Sequence, residues 1–102
     1  PQEHGGHSDT RWLALYPDGS EASTPLELAA EAGRTVHFSA LKHAPEDLAA
    51  VNHTYELSER EGTVLIVDFF HRGIGTAACG PDCALRHVRG GGSLTGTIYL
   101  RL

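Results

Sequence analysis

The residues in this sequence that could bind a metal ion are two cysteines and seven histidines. Cys79 and Cys83 lie in the segment CGPDC, and His71 and His87 stand on either side of it. A structural zinc site needs four converging ligands, which usually come as close pairs such as C-x2-C. The spacing here is C-x3-C, it contains a proline, and no second pair follows. We therefore interpret the histidines as solvated or hydrogen-bonding side chains and predict no metal site in this segment.

The same two thiols could act as a nucleophile or form a disulfide bond. A catalytic cysteine needs a histidine base and an oxyanion hole, and no nucleophile motif surrounds either cysteine. A disulfide would require the loop to double back until the two Cα atoms are within about 7 Å. Because two cysteines are too few for a disulfide scaffold, we expect reduced thiols and a cytoplasmic location.

Paired carboxylates are the other groups that could do chemistry. Glu46 and Asp47 lie where a helix is expected to start, and Glu56 and Glu59 lie beside a turn. Acidic side chains at such positions are ordinarily solvated, so we do not assign them to acid–base catalysis. The Gly-Ile-Gly at 73–75 follows a strand but opens no helix, which argues against a phosphate-binding loop. The residues alone therefore provide no complete catalytic constellation.

Composition excludes several classes of protein. The chain has 102 residues, 40% of them apolar, enough for one domain or a piece of one. Its 8 basic and 13 acidic residues give a net charge of −5, which argues against nucleic acid or an anionic membrane as partner. No apolar stretch approaches the roughly 20 residues that span a bilayer. Since the first residue is Pro1, we expect this sequence to be a piece of a longer protein.

Apolar and polar residues are spaced mainly as in strands. We predict strands over 10–16, 35–40, 54–57, 63–70, 85–88 and 94–102, the last two forming a hairpin through 90–92. Residues 2–9 and 71–84 are predicted as loops, 17–20 as a turn, and 21–34 as a loop that can contain a short strand. A helix is predicted over 44–52, because Pro45 suits its first position and Asn52 can adopt the left-handed conformation at its exit. These elements indicate an all-β fold, an antiparallel β-sandwich with one short helix.

The patterns also predict which side chains are buried. Alternation over 35–40 places Val36, Phe38 and Ala40 inward and His37 and Ser39 outward. Apolar residues on both parities of 10–16 predict a strand covered on both faces. The continuous run TVLIVDFF at 63–70 predicts the most buried strand, with Ile66 in the core. The loop at 71–84 is long, and functional residues tend to lie on such loops.

Three blocks of sequence carry a resemblance to a known family. The first is PQEHG at 1–5, which contains Glu3, with Arg11 in TRW at 10–12. The second is FSA at 38–40 with PEDL at 45–48 and His53. The third is DFFHRGIG at 68–75, continued by CGP at 79–81. In the same order, these blocks resemble the C-terminal end of bacterial beta-galactosidases of glycoside hydrolase family 2.

The resemblance implies that residues 1–102 are the last portion of the final domain of such an enzyme. That domain is an antiparallel supersandwich similar to galactose mutarotase. Hydrolysis in the family is retaining and uses two glutamates about 5 Å apart, which belong to a separate (β/α)8 barrel. The barrel also holds the principal magnesium ligands, and sodium is implied as a further ion of the intact enzyme. The resemblance therefore implies no catalytic or metal-binding residue in this segment.

The resemblance further implies that the segment is structural and sends one loop toward the mouth of the sugar pocket. In some relatives a tryptophan of that loop forms an apolar platform for the sugar, and Cys79 falls near its position. The implied pocket-loop residues are Gly75, Cys79, Gly80 and Pro81. The implied family-motif residues are Glu3, Arg11, Asp68, His71, Arg72 and Gly73. The implied partners are the remainder of the enzyme with its barrel, a galactoside substrate, and further copies in a homo-oligomer.

Two other functions are consistent with the sequence. A stand-alone carbohydrate-binding β-sandwich without catalysis would recognise sugar through exposed aromatic side chains such as Trp12 or Tyr99. A metal or redox protein would use Cys79 and Cys83 with nearby histidines. Loss of sugar binding in Trp12→Ala would indicate the first of these, and metal analysis of the purified protein would decide the second.

Overall fold

The computed structural model describes residues 5–17, 19–72 and 77–102, which contain six strands, one α-helix and two short 3-10 turns. The strands are β1 (Gly6–Thr10), β2 (Trp12–Leu15), β3 (Leu26–Ala30), β4 (Val36–Leu41), β5 (Val64–Asp68) and β6 (Ile98–Arg101). The helix is α1 (Pro45–Ala49), and the 3-10 turns are Thr54–Glu56 and Leu85–His87. Strands β1, β4 and β5 form the first sheet, in the order β1-β4-β5, and β2, β3 and β6 form the second, in the order β2-β3-β6. Every strand pair is antiparallel.

The core lies between the two sheets. Leu13 and Leu28 of the second sheet and Val36 of the first are buried together. Partly buried side chains from both sheets pack around them, among them Phe38, Val67 and Ile98. Two antiparallel sheets that share one apolar core form a β-sandwich, so the predicted fold class is confirmed.

Strand β4 is the central strand of the first sheet and has the predicted orientation. Phe38 pairs with Val67 across the sheet on the core side, and His37 pairs with Asp68 on the outer side. The ring of His7 stacks on Phe38 with centroids 4.8 Å apart. The segment predicted as a loop at 2–9 therefore contains β1, which begins at Gly6 and pairs with β4.

Strands β2 and β5 are less covered than predicted. In β2, Leu13 is 6% exposed but its neighbour Trp12 is 68% exposed, so only one face of the strand is buried. All five residues of β5 are half-buried, and Ile66 pairs with Ser39 on the outer face rather than in the core. Both predictions were wrong for the same reason. Each strand belongs to a sheet that contacts the core through one face only, so the side chains on its other face are left uncovered. Each strand also lies at the edge of its sheet, where only one neighbouring strand is present.

The segment 21–34, predicted as a loop that can contain a short strand, does contain one, β3, which is the central strand of the second sheet. Leu28 on this strand is 2% exposed. On one side Leu28 pairs with Leu13 of β2, and on the other side with Leu100 of β6. The predicted hairpin at the end of the chain is therefore wrong, because the last strand pairs with β3 and Leu85–His87 forms a 3-10 turn.

The predicted strand at 54–57 is also wrong, because Thr54–Glu56 forms a 3-10 turn. The Glu56 carboxylate fixes this turn through two hydrogen bonds to the nearby backbone. Its Oε2 accepts hydrogen bonds from the backbone N–H groups of Asn52 at 2.9 Å and His53 at 3.0 Å. Side chains that bond the backbone nearby in this way compete with strand pairing.

The turn predicted at 17–20 is present, apart from Asp18, which lies outside the described residues. Gly19 has φ +70°, and its N–H donates a hydrogen bond to the Tyr16 carbonyl at 3.2 Å. Glycine adopts this left-handed conformation without steric cost. No helix in the described part of the chain is long and apolar enough to cross a bilayer.

Helix α1 is shorter than predicted and is fixed at its start by Asp47. The Asp47 carboxylate accepts a hydrogen bond from the Ala44 N–H at 2.8 Å. It also forms a two-point ion pair with Arg60, with distances of 2.7 and 2.9 Å. Pro45 occupies the first turn as predicted, but the helix ends at Ala49 and its C-cap, Ala50, is in the right-handed region, so Asn52 does not provide a left-handed exit.

The ion pair predicts a pH effect. The hydrogen bond from Arg60, followed by that from Ala44, lowers the pKa of Asp47 from 3.8 to about 2. Because the pKa of Asp47 is lower in the folded state than in the unfolded chain, its ionised carboxylate stabilises the fold above about pH 4. This contribution disappears as the pH falls through about 2. In Arg60→Met we expect the pKa of Asp47 to rise toward 3.8, measured by NMR titration of the Asp47 carboxyl carbon. Arg72→Met is the control, and an equal rise in that variant would contradict the assignment.

Candidate functional site

Three of the four predicted pocket residues lie in the described part of the loop at 71–84. Cys79, Gly80 and Pro81 are all exposed. Gly73 and Gly75 of the same loop lie outside the described residues, as does Glu3. The described part of this loop follows β5 closely, because only Phe69 and Phe70 separate it from Asp68.

The two ends of this loop are joined at its base. Arg72 Nη2 donates a hydrogen bond to Asp82 Oδ1 at 3.3 Å. The same oxygen accepts a hydrogen bond from the Cys83 backbone N–H at 2.7 Å. An ion pair between two half-exposed side chains contributes little free energy of folding. Its effect here is geometric, since it holds together two residues on either side of the exposed Cys79.

The two cysteines have different environments. Cys83 is 6% exposed, with its Sγ 3.6 Å from the Ala84 carbonyl oxygen, whereas Cys79 is exposed. Both are free thiols in the structure. Cys83 therefore anchors the loop to the body of the protein, and Cys79 is available to a molecule that approaches the loop.

This difference predicts distinct responses to alanine substitution. We expect Cys79→Ala to change the free energy of unfolding by less than about 0.5 kcal/mol, because no buried contact is lost. We expect Cys83→Ala to lower it by about 1 kcal/mol, since a buried group of roughly methylene size or larger is removed. Urea unfolding measures both values. In the native protein an aromatic disulfide reagent should label Cys79 much faster than Cys83, and equal labelling rates would contradict the assignment.

Two aromatic side chains between β5 and the loop are held by residues near the C-terminus. The guanidinium of Arg89 lies over the ring of Phe70, 4.6 Å from its centroid, which is cation–π geometry. The ring of Phe69 lies against Gly96, where a side chain would have no space. Sequence reasoning missed Arg89 and Gly96. Glycine in an otherwise alternating stretch was the available signal, because it often marks a close approach of the backbone.

Beside the loop base, the outer face of the first sheet carries a polar cleft of about 330 Å³. The predicted motif residues Asp68 and His71 both line it. The ring of His71 stacks on His37 with centroids 4.3 Å apart, and His37 Nδ1 lies 3.0 Å from the hydroxyl oxygen of Ser8. His87 lines the same cleft as His71.

The cleft has side-chain groups that can bind a polar ligand. Hydroxyl, carboxylate and imidazole groups can all hydrogen-bond the hydroxyls of a sugar. Among the described residues no hydrogen bond joins Asp68 to His37, so Asp68, His37 and Ser8 do not form the carboxylate–histidine–serine relay of a nucleophilic site. In the described part of the chain, no group of three or more histidine, cysteine, aspartate or glutamate side chains converges to hold a metal ion.

Arg11 lies apart from these residues, between β1 and β2, and is exposed. Its backbone carbonyl accepts a hydrogen bond from the Ala30 N–H at 2.8 Å. Just before it the pairing of β1 with β4 is irregular, and Asp9 has φ 54°. The described contact of Arg11 is therefore a structural one, which ties the crossing between the two sheets to β3.

Comparison with known proteins connects this fold to a family. The family described as the beta-galactosidase small chain matches residues 1–90. A beta-galactosidase of Arthrobacter sp. strain B7 is 40% identical over 83 residues, which cover 80% of this chain and 8% of that protein. Beta-galactosidases of Actinobacillus pleuropneumoniae and Staphylococcus xylosus are 33% and 27% identical over 82 residues, again 80% of this chain but 7% and 8% of theirs.

No solved structure matches the chain significantly. The chain spans less than a tenth of the length of these three relatives. The family match covers most of the sequence, including Arg11, Asp68, His71 and the loop that carries Cys79. On this evidence the chain belongs to the beta-galactosidase small chain family.

Proposed function

We propose that the chain is the C-terminal segment of a glycoside hydrolase family 2 beta-galactosidase, which hydrolyses terminal beta-D-galactosides with retention. The match to the beta-galactosidase small chain over residues 1–90 supports this proposal. Three relatives named beta-galactosidase also support it, and the part of each relative that this chain matches is only 7–8% of that relative's length. A segment of that size within a much longer chain leaves the nucleophile and the acid–base residue to other parts of the enzyme.

In this proposal the segment is structural and contributes one loop to the sugar pocket. The observation that carries this role is the exposed Cys79-Gly80-Pro81 on a loop whose base is joined by Arg72 and Asp82. A thiol offers apolar contact to a sugar face, although with less area than an aromatic ring. The sandwich positions this loop, and the remainder of the enzyme provides the reacting groups.

The intact enzyme would also provide the ions and the other partners. We propose that magnesium, and sodium where it is present, binds outside this segment. The partners in the proposal are the remainder of the beta-galactosidase with its catalytic barrel, a galactoside, and further copies of the enzyme in a homo-oligomer. We also propose a cytoplasmic location, consistent with two free thiols.

A chimera tests the proposal. The 102 residues replace the matching segment of the Arthrobacter beta-galactosidase, and hydrolysis of an aryl beta-galactoside is measured for the chimera, for the relative without the segment, and for the isolated chain. We expect activity only in the chimera, with a changed KM in its Cys79→Ala variant. Activity of the isolated chain, or an inactive chimera that is folded, would contradict the proposal.

A further inference from the structure

The outer face of the second sheet carries an apolar groove with an aromatic side chain on each side. Trp12 on β2 pairs with Ala29 on β3, which pairs with Tyr99 on β6, so the three side chains form one row across the sheet. Trp12 is 68% exposed and Tyr99 is 59% exposed. Because alanine is small, the two rings enclose a groove of about 400 Å³, which we call the Trp12–Tyr99 groove.

The charged residues of this groove are already compensated. Glu27 and Arg101 are directly opposite each other on β3 and β6 and form an ion pair. A compensated pair can lie at the edge of an interface without leaving an unpaired charge buried. A sugar could stack on an aromatic ring, but it also needs polar groups at the edge of the ring that are free to bind its hydroxyls, and here those groups bind each other.

We propose that the Trp12–Tyr99 groove is the surface on which the remainder of a beta-galactosidase packs, with apolar side chains of that polypeptide inserted between the two rings. The inference rests on the proposed function and identifies the surface involved. Two observations select this occupant. The relatives are more than ten times longer than the part that this chain matches, and the family that matches it is described as a small chain.

The exposure of the two rings agrees with this occupant. Exposed aromatic side chains on one contiguous face mark interaction surfaces, and tryptophan and tyrosine are enriched among the residues that contribute most to binding. Trp12 and Tyr99 lie on the two edge strands of the second sheet. A polypeptide that binds in the groove would therefore cover the full width of that sheet.

The test uses the chimera described above with a charge placed in the groove. We expect Trp12→Glu and Tyr99→Glu each to lower the unfolding midpoint of the chimera by about 1 °C or more, because the loss of an interface residue of this kind acts against the large unfolding entropy of a long chain. Tyr55→Glu is the matched control, because Tyr55 is 83% exposed and lies outside the groove. In the isolated chain, Tyr99→Glu should shift the midpoint no more than Tyr55→Glu does.

Two results would overturn the proposal. One is a chimera whose stability is as insensitive to Trp12→Glu and Tyr99→Glu as to Tyr55→Glu. The other is saturable binding of lactose by the isolated chain, detected by the fluorescence of Trp12, the one tryptophan in its sequence, and lost in Tyr99→Glu. Unfolding, rather than hydrolysis, is the readout. Failure of the proposed function can therefore be distinguished from failure of this proposal. If only the proposed function fails, the chimera folds and is destabilised by Trp12→Glu and Tyr99→Glu but does not hydrolyse galactosides.

Discussion

Leu28→Ala is expected to lower the free energy of unfolding by about 2–5 kcal/mol, the cost of truncating a well-buried leucine. Leu28 is 2% exposed, lies on the central strand of the second sheet and belongs to the core cluster with Leu13 and Val36. Strands flank it on both sides, so the backbone has little freedom to close the cavity. Urea or thermal unfolding of the isolated chain measures the change.

Ile66→Ala is the matched control for this prediction. The sequence pattern suggested that Ile66 lies in the core, but the residue is half-buried on the outer face of β5. We therefore expect Ile66→Ala to cost clearly less than Leu28→Ala. Equal costs for the two variants would mean that the outer face of the first sheet is as well packed as the core, and would contradict the assignment of the core to the space between the sheets.

Local sequence patterns were sufficient where neighbouring residues determine the structure. The alternation of Val36 and Phe38 with His37 predicted both the strand β4 and its orientation, because side chains in a strand alternate between faces. The start of α1 was predicted from Pro45, which suits the first turn of a helix. The turn at Gly19 was predicted for a similar reason, since proline and glycine favour turn conformations.

Prediction failed where pairing is non-local. The segment 21–34 was predicted as a loop that can contain a short strand, but nothing local indicated that Leu26–Ala30 is a central strand, because β2 and the distant β6 pair with it on both sides. The end of the chain looked like a hairpin because Gly90 to Gly92 can form a tight turn, but Ile98–Arg101 pairs with β3 instead. A short sequence window contains no information about such partners.

The candidate site was predictable in part. The loop predicted at 71–84 does carry an exposed Cys79, and Asp68 and His71 line one cleft, whereas the role of these residues in a sugar pocket stays a prediction. Ser8 and His37 were missed as members of the same cleft, because they come from two other strands and only the register of the first sheet brings them there. The link from Arg72 to Asp82 was missed as well, since it depends on how the loop between them folds back.

The second large effect is expected at Gly96, which lies behind the base of the loop. A Cβ atom at this position would come within 2.7 Å of Phe69 Cε1 and 2.9 Å of Phe69 Cγ, closer than real Cβ atoms approach their neighbours. The backbone of Gly96 does not require a positive φ, so the constraint is steric rather than conformational. Alanine at this position would have to displace the Phe69 ring.

We expect Gly96→Ala to be less stable than Gly90→Ala by roughly 1–3 kcal/mol, the usual cost of overpacking. Gly90 is the matched control, because nothing lies within 4 Å of a Cβ atom placed there. Both variants gain the same 0.4–1 kcal/mol or so from the reduced entropy of the unfolded chain, so their difference isolates the clash. Urea unfolding of the two variants measures that difference.

A double variant separates the clash from any other effect of the substitution. If the Phe69 ring is the obstacle, Gly96→Ala should cost much less in a Phe69→Ala background than in the original sequence. Equal costs in both backgrounds would show that Gly96 acts through the backbone instead. Because Phe69 lies two residues before His71, where the proposed pocket loop begins, displacement of its ring should also move that loop. We therefore expect Gly96→Ala to raise the KM of the chimera for a galactoside, whereas Gly90→Ala should leave it unchanged.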